Sequence, residues 1–561
     1  MEVDGRDLAS YDSYGVKGYV VDQGTYYLTV ATDAHAAVNN ILAAKGQTKE
    51  SNKAMDADGN TSMVYSIEKS RDIDTYKNSL VTDKPVTNQF DNADLNIYEG
   101  SETEVEYISR SDWEGTVKYG LNADNTRTYD RVVVKPTEQM AVDLNKSWGG
   151  VGSTSKQPTL LPEEAKGGEY PTYSSTESNY TLVMLRARDN GDEDPTNDEW
   201  IPYNDPMWDA LLNQLSWQDT VDLLSYGQRM SVAIDSVQKP AVVDHNGGNG
   251  PNQYYNVGKN GLATRTDDPM KNELAVVYPC NGIVASTFNK ELAYYYGCQW
   301  GEDMLWSGMS GLYGMGLNTH RSAYGGRNFE YYSEDPVLMG VIAGETTKGM
   351  ATRGAYVYLK HCVLNDQETY RCGGFTWANE QTIREIYLRS YEIAISDYGA
   401  QGVMGGLNSI GMLGTGVQGF FNTVLRDEFG MTGIAVTDTT SAMGANFALS
   451  VFYGNDLPDG GVNADAFDFA KPKSEGGTGE YGNFAWAMRE SAHRILYTVV
   501  HSNAMNGMAA TDKFYSITPP WVNVLTGAEI AIGILFGLSV AAFGVSLFLN
   551  RKEFFCRGKQ K

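Results

Sequence analysis

Polar residues of several chemical types stand directly after short apolar runs in the middle of the chain. Asp244 follows AVV, His320 and Arg321 follow GLNT, Lys360 and His361 follow YVYL, Asn408 follows GVMGGL, and Asp438 follows GIAVT. Carboxylates, cations, imidazoles and an amide brought to one rim would supply the donors, acceptors and titratable groups that binding and acid–base chemistry on a polar substrate require. Two of only six histidines lie in this set, which favours a site over charges placed for solvation. Ion pairs closing a rim would use the same residue types, so the residues alone leave both readings open. A metal centre is not expected: the cysteines at 280, 298, 362, 372 and 556 form no CxxC pair, and no His/Cys/Asp cluster has ligand spacing. No cofactor is expected either.

The elements that must position these residues are short. Strand candidates are Ala241 to Val243, Ile283 to Ala285, Leu312 to Leu317, Tyr356 to Leu359, Gly402 to Met404 and Gly433 to Val436, with helices Asn289 to Trp306, Glu380 to Ser396 and Val417 to Phe429 between them. Repeated strand–helix alternation predicts parallel βαβ units, and six or more in one block favour a closed (β/α) barrel over an open sheet. Chemistry in such barrels sits at the C-terminal strand ends, where the polar residues stand.

The 561 residues suggest two to four domains. A formal charge of -26 and a pI near 4.6 exclude the basic stripe of a nucleic-acid binder. Residues 1–48 contain GYVVDQGTYYLTVATDAH, read as a β-hairpin turning at Gly24 and followed by a helical AAVNNILAAKG. A lone hairpin is marginal in water, so sheet partners are expected elsewhere. Residues 49–205 are polar and read as an irregular decorating region, and 206–515 as the barrel. From Ile530 to Leu549 the chain runs 20 residues without a charge, enough for one transmembrane helix. The basic tail at 550–561 predicts a cytoplasmic C-terminus and an extracellular barrel on a single-pass cell-membrane protein. The opening MEVDGRDLAS lacks a basic n-region followed by an apolar h-region, so export is expected to rest on the C-terminal helix or on residues upstream.

NTHRSAYGGRNFEYYSEDP (318–336), YLKHCVLNDQE (358–368), ANEQTIREIYLRSYEIAI (378–395), LRDEFGMTGIAVTD (425–438) and GNDL (454–457) together resemble the barrel domain of glycoside hydrolase family 3. The resemblance covers most of 206–510. NQFDNADLN and ISRSDWEGT look like the reversed-order members, in which an α/β sandwich and a fibronectin type III-like domain precede the barrel. Residues 1–48 then look like the tail of that fibronectin-like domain. The implied fold is α/β, a (β/α)8-type TIM-like barrel preceded by this β-rich fragment and followed by the transmembrane helix.

The activity implied by the resemblance is that of a retaining, exo-acting, β-glucosidase-like glycosidase acting on oligosaccharides or β-glycosides. Such enzymes set a nucleophilic carboxylate and an acid carboxyl about 5 to 5.5 Å apart. Asp438 matches the nucleophile, although without its motif an ordinary helix N-cap is the plainer reading. Arg327, Lys360 and His361 match sugar-hydroxyl contacts, and Arg321, Asn408 and either Asp244 or Asn246 join them as substrate-binding candidates. Glu330 and Asp335 are expected to position the cations. The sequence departs from the family pattern in several places. VVDHNGGNGPNQ stands for the usual Asp-Gly-Pro stretch, Thr439 and Thr440 follow the nucleophile, Leu407 replaces an aromatic, and Cys362 follows the Lys-His pair. KHCVLND does not match the His-Asp acid of the N-acetylglucosaminidase branch, and in most members the acid Glu comes from the sandwich domain. No acid/base partner is therefore named, and a separate upstream chain carrying that domain is an expected partner. A sugar-binding scaffold and an unrelated barrel enzyme are the alternatives.

Overall fold

The computed structural model describes residues 3–98, 105, 107, 135–148, 161–188, 199–250, 277–372, 374–439, 447–460, 462, 464–512 and 520–551. They fall into two compact units, Met1–Asp512 and Lys513–Lys561.

Eight short strands frame the larger unit: β1 (Met230–Ser231), β2 (Val242–Asn246), β3 (Gly311–Tyr313), β4 (Tyr356–Val357), β5 (Leu359–Cys362), β6 (Val403–Gly405), β7 (Ala435–Thr439) and β8 (Leu457–Asp459). One sheet runs β4-β3-β2-β1 and another β5-β6-β7-β8; every pairing is parallel except β1 with β2. Backbone bonds bridge the two sheets, because Tyr358 N–H donates to Leu312 (2.8 Å), Lys360 to Met315 (2.9 Å) and Leu359 to Gly402 (2.9 Å). The stretch carrying Lys360 and His361 thus lies between β3 and β6. The result is an α/β fold with a parallel, TIM-barrel-like core.

Alternation along these strands builds two apolar clusters. Leu312, Val357, Leu359, Val403 and Ala435 enter one with Trp300 and Ile342; Tyr313, Tyr358, Met404 and Val436 enter the other with Leu457 and Leu496. Both faces are covered, the condition under which parallel sheets are found.

Helices supply the cover. Helix α1 (Trp217–Ser225) starts with a capping box in which the Ser216 hydroxyl and the Asp219 carboxylate each take the other's backbone N–H. Helices α2 (Lys290–Trp306) and α3 (Pro336–Ala351) approach closely because Gly297 and Gly349 have no side chains. A Cβ on Gly297 would lie 2.0 Å from the Thr346 carbonyl oxygen, and one on Gly349 2.1 Å from that of Tyr294. Asp335 caps α3, accepting from the N–H groups of Val337 (2.8 Å) and Leu338 (2.9 Å) with Pro336 at the first helical position. Its carboxylate therefore caps a helix, contrary to the expectation that it positions cations. Helix α4 (Gly482–Val500) is held to β7 through fully buried Asp456, which accepts from Ala435 N–H (2.7 Å), Arg426 (2.8 Å) and Arg494 (2.9 Å).

Two local expectations are corrected. The run Ile283 to Ala285 lies in the helix Asn281–Ala285, because three apolar residues carry no period that separates strand from helix. The strands flanking Gly24 do not pair with each other. Gly18–Val20 pairs with Ser10–Asp12, and Gly24–Thr29 with Val64–Lys69. The first is fully buried and the second half exposed, so each needs a partner of its own character. The helix Ala34–Ala44 forms as expected. ISRSDWEGT lies outside the described residues, as do 552–561.

A buried charge cluster ties the N-terminal segment to the core. Arg384 donates to Glu380 (2.7 Å), to both oxygens of Glu428 (2.6 and 3.0 Å) and to the Thr87 carbonyl (2.8 Å), while Glu380 accepts from the N–H of Phe90 (2.6 Å). The smaller unit holds helix α5 (Pro520–Leu549), 30 residues of which none is buried, with a mean hydropathy of 2.3 over its apolar 18-residue stretch. At ~1.5 Å per residue it is about 45 Å long, more than a hydrocarbon core of about 30 Å.

Burial already pushes the Glu380 and Glu428 carboxyls above their usual range, with Arg384 opposing it. Arg384→Met removes that opposition. It should destabilise the protein by about 3–5 kcal/mol at pH 7, measured by denaturant unfolding. Raised folded-state pKa values withdraw stability as pH rises, so part of the deficit should return as pH falls towards 5.

Candidate active site

The site is built where β2, β5, β7 and β8 end. Strand β7 terminates in Thr437, Asp438 and Thr439; in the same parallel sheet its neighbour β8 brings Asp459, and β5, one strand beyond β6, brings His361, to the same end. Asp438 is 8% exposed. Its Oδ1 accepts from Thr439 N–H (2.7 Å) and the Thr439 hydroxyl (3.3 Å). Its Oδ2 has no hydrogen-bond partner among the described residues and lies 3.9 Å from His361 Nε2. One carboxylate oxygen is thereby pinned and the other is left without a hydrogen-bond partner among the described residues.

His361 is held in one tautomer by its neighbours. Arg327 Nη1 lies 2.9 Å from Nε2, and an arginine can only donate, so Nε2 is the acceptor and Nδ1 carries the proton. Nδ1 faces Asn318 Oδ1 at 3.3 Å and the Tyr331 hydroxyl at 3.4 Å. Asn318 also exchanges hydrogen bonds with the backbone of His361, at 2.8 and 3.0 Å. Burial, then the charges of Arg327 and Lys360, drive the imidazole well below its usual range, so it is neutral. It polarises nothing by net charge and leaves Asp438 unneutralised.

Glu330 organises the cations. It accepts from Arg327 through both oxygens (3.0 and 2.6 Å) and lies 3.4 Å from Lys360 Nζ. Burial acts to raise its pKa, but Lys360 and Arg327 hold the carboxyl below the usual range. Burial lowers the Lys360 ammonium, with Glu330 opposing. Lys360 Nζ also donates to Asn246 Oδ1 at 2.9 Å. Bidentate Arg–carboxylate pairing gives this group a fixed geometry as well as charge balance.

The structure therefore brings Arg327, Lys360, His361, Asn246 and Asp438 together, with Asn408 on the neighbouring strand end. Asn408 donates to Val363 O (3.0 Å) and Thr376 Oγ1 (3.2 Å), and its Oδ1 has no partner among the described residues. Asp244 and Asn246 share one face of β2 but meet different partners. Both Asp244 oxygens are taken by the hydroxyls of Tyr356 (2.7 Å) and Tyr358 (2.8 Å), in a buried position that raises its pKa. Arg321 is exposed and donates to Gln367 (3.2 Å), apart from the cluster. His320 Nε2 meets the carbonyls of Asn328 (2.9 Å) and Tyr331 (3.0 Å), which shapes the loop that carries Arg327.

Three nearby residues were not singled out from sequence. Asn318 heads the NTHR motif and could have been noticed there. Asp459 lies two residues past GNDL and reaches the site through the β7–β8 pairing, in which Thr439 is opposite Asp459. Asn365 is buried three residues after the end of β5, with neither amide atom partnered among the described residues. Each such buried polar atom costs about 1–3 kcal/mol when nothing bonds it, and Asn365, Asn408 and Asp438 lie at or just past the ends of three strands in a row. Polar-ligand sites show this pattern before their ligand arrives. Among the described residues no group of three or more His, Cys, Asp or Glu side chains could hold a metal ion.

Burial, with the Asp438 charge adding to it and Arg229 and Lys360 opposing, pushes the Asp459 carboxyl up to about 6. Ionising it in the folded state is therefore unfavourable, and stability falls as pH rises from about 4 through 6. Asp459→Asn should raise stability at pH 7.5 by about 1–3 kcal/mol, and the gain should vanish by pH 4 in thermal unfolding.

Similarity to known proteins falls on the same region. Residues 270–452 match the glycosyl hydrolase family 3 N-terminal domain. A β-glucosidase of Ruminococcus albus is 37% identical over 161 residues, 28% of this chain and 17% of that protein. Beta-glucosidase A of Butyrivibrio fibrisolvens is 32% identical over 188 residues, 33% of this chain and 22% of that protein. The chain thus spans about a fifth of the length of these relatives. A β-glucosidase structure from Paenibacillus barengoltzii superimposes with a TM-score of 0.53 over 91% of this chain and 48% of its own, at 18% identity, a likeness of fold. The stretch that carries Asp438 and its cationic neighbours is thus the part of this chain that matches the glycosyl hydrolase family 3 N-terminal domain, residues 270–452.

Proposed function

We propose that the protein is the nucleophile-bearing part of a retaining, exo-acting β-glycosidase of the β-glucosidase kind, anchored by α5 with its barrel outside the cell. The observation that carries this reading is Asp438 in a family 3 domain, with one oxygen tied to Thr439 and the other unspent near a neutral His361.

The residues divide the work as follows. Asp438 Oδ2 attacks the anomeric carbon and forms a glycosyl–enzyme ester while the aglycone oxygen leaves. Arg327, Lys360 and His361 hold ring hydroxyls with Asn246 and Asn408 beside them, while Asp244 is spent on fastening β2 to Tyr356 and Tyr358 and Arg321 stays outside the group. Fixed donors of this kind strengthen as charge develops on the sugar. Glu330 keeps the two cations apart and charged. The proton for the leaving oxygen comes from a carboxyl of an α/β sandwich domain on an upstream segment or a separate chain. Residues 1–48 are the end of a fibronectin type III-like domain that would join the two.

Hydrolysis of aryl β-glucosides by the full chain tests this reading. A nitrophenolate leaves without protonation, so slow release should be seen, as a burst if water's attack lacks its base, and Asp438→Asn should abolish it. Cellobiose needs the acid, a contribution of about 10² to 10⁴-fold, so its turnover should be weak until the sandwich domain is supplied in trans. Sugar binding without any aryl-glycoside release would identify a binding scaffold instead.

The anchoring reading has its own test. Protease added to intact cells should release a large soluble fragment and leave the basic tail protected; recovery of the whole protein from the cytosolic fraction would reverse the assignment.

A further inference from the structure

The sheet order β5-β6-β7 places three polar residues in a row at one rim. Asn365 lies three residues past the end of β5, Asn408 three past the end of β6, and Asp438 in the last residues of β7. Each has a buried side-chain atom without a hydrogen-bond partner among the described residues: both amide atoms of Asn365, Oδ1 of Asn408 and Oδ2 of Asp438. Asn365 is 1% exposed and Asn408 4%.

The local backbone sets these side chains side by side. Leu364 takes the left-handed conformation, φ 67°, which a residue with a Cβ rarely adopts, and so turns the chain sharply just before Asn365. Gly406 leaves the space between the two amides. A Cβ there would lie 3.3 Å from Asn365 Cβ and 2.4 Å from Asn408 Oδ1. The sheet ladder is not what Asn365 serves, since neither amide atom meets it. An amide offers two donors and one two-lone-pair acceptor, the complement of a hydroxyl, which is one donor and two acceptor sites. A row of amide, amide and carboxylate therefore fits a polyol face better than it fits an anion or a cation.

We propose that Asn365 is a sugar-binding residue of this site, its amide paired with a ring hydroxyl of the glycone whose anomeric carbon faces Asp438. The assignment rests on the glycosidase reading above and adds a residue that fixes which sugar is accepted. Asn365 holds the hydroxyl as donor and acceptor together, Asn408 Oδ1 takes the proton of that hydroxyl or its neighbour, and Asp438 remains free for the anomeric carbon.

The experiment uses the full chain in detergent, with p-nitrophenyl β-D-glucoside and its 2-, 3-, 4- and 6-deoxy analogues, for the wild type, Asn365→Ala and the isosteric Asn365→Asp. On the parent glucoside, kcat/KM should fall about 10- to 100-fold in Asn365→Ala. On one deoxy analogue the same variant should lose almost nothing, because the hydroxyl it would have held is already missing. A structural amide would give the same loss on every analogue, and that result overturns the proposal. If Asn365→Ala does not fold, the same comparison is made with Asn365→Asp, whose shape is retained and whose donors are lost. Calorimetric binding of glucose separates this inference from the activity. Glucose binding weakened at least tenfold by Asn365→Ala, with no release from any aryl glycoside by the wild type, supports the sugar contact and overturns the glycosidase reading. Wild-type turnover with an unaltered deoxy pattern in both variants overturns the sugar contact alone.

Discussion

Glu330 buried between Arg327 and Lys360 is the interaction on which the site depends. Each ion would lose much of its hydration alone; together they exchange it for a bidentate pair at 3.0 and 2.6 Å and a third charge at 3.4 Å. That balance lets Arg327 approach His361 Nε2 and fix its tautomer, and it leaves Lys360 free to reach Asn246. Without the carboxylate, two cations would face each other unpaired in a low-dielectric pocket. With it, the positive groups are held in fixed positions beside His361 and Asn246.

The frame that holds this cluster is also made of buried charge. Asp456 ties the first residue of β7 to Arg426 and Arg494, so the strand ending in Asp438 is anchored from its other end. Asp244 fastens β2 to the two tyrosines of the neighbouring stretch, and Asn246 two residues later meets Lys360 on the same side of that strand. Apolar packing fills both faces, and Gly297 and Gly349 bring α2 and α3 to backbone contact. Position at the rim is therefore set by groups that never face a substrate. The matched stretch 270–452 includes Gly297, Gly349, Tyr356, Tyr358 and Arg426 but not Asp244, Asp456 or Arg494.

The sequence by itself determined a good deal. Strand–helix alternation with polar residues closing the apolar runs is a one-dimensional record of a parallel α/β core, because period and strand ends are local properties. The motif residues Arg327, Lys360, His361 and Asp438 were legible for the same reason, each sitting in a long continuous stretch. Helix α5 was legible from hydropathy, which depends on composition alone.

Tertiary structure decided what local pattern cannot carry. Strands at Gly18–Val20 and Gly24–Thr29 were readable as strands, yet their partners were not, since pairing is chosen by burial across the fold. Asp244 and Asn246 could not be told apart by spacing, because residues two apart share one face of a strand and only the tertiary placement of Tyr356, Tyr358 and Lys360 decides which partner each meets. Arg321 resembles its cationic neighbours in type, but it ends on the exposed side of its loop. Asp459 carries no motif of its own, and Asn365, though it lies in YLKHCVLNDQE, has no feature in the sequence that marks it as a contact; both enter the site through the lateral order β5-β6-β7-β8. Sequence states which groups a strand end offers; the sheet decides which of them meet, because adjacency across strands is a property of pairing and not of the chain.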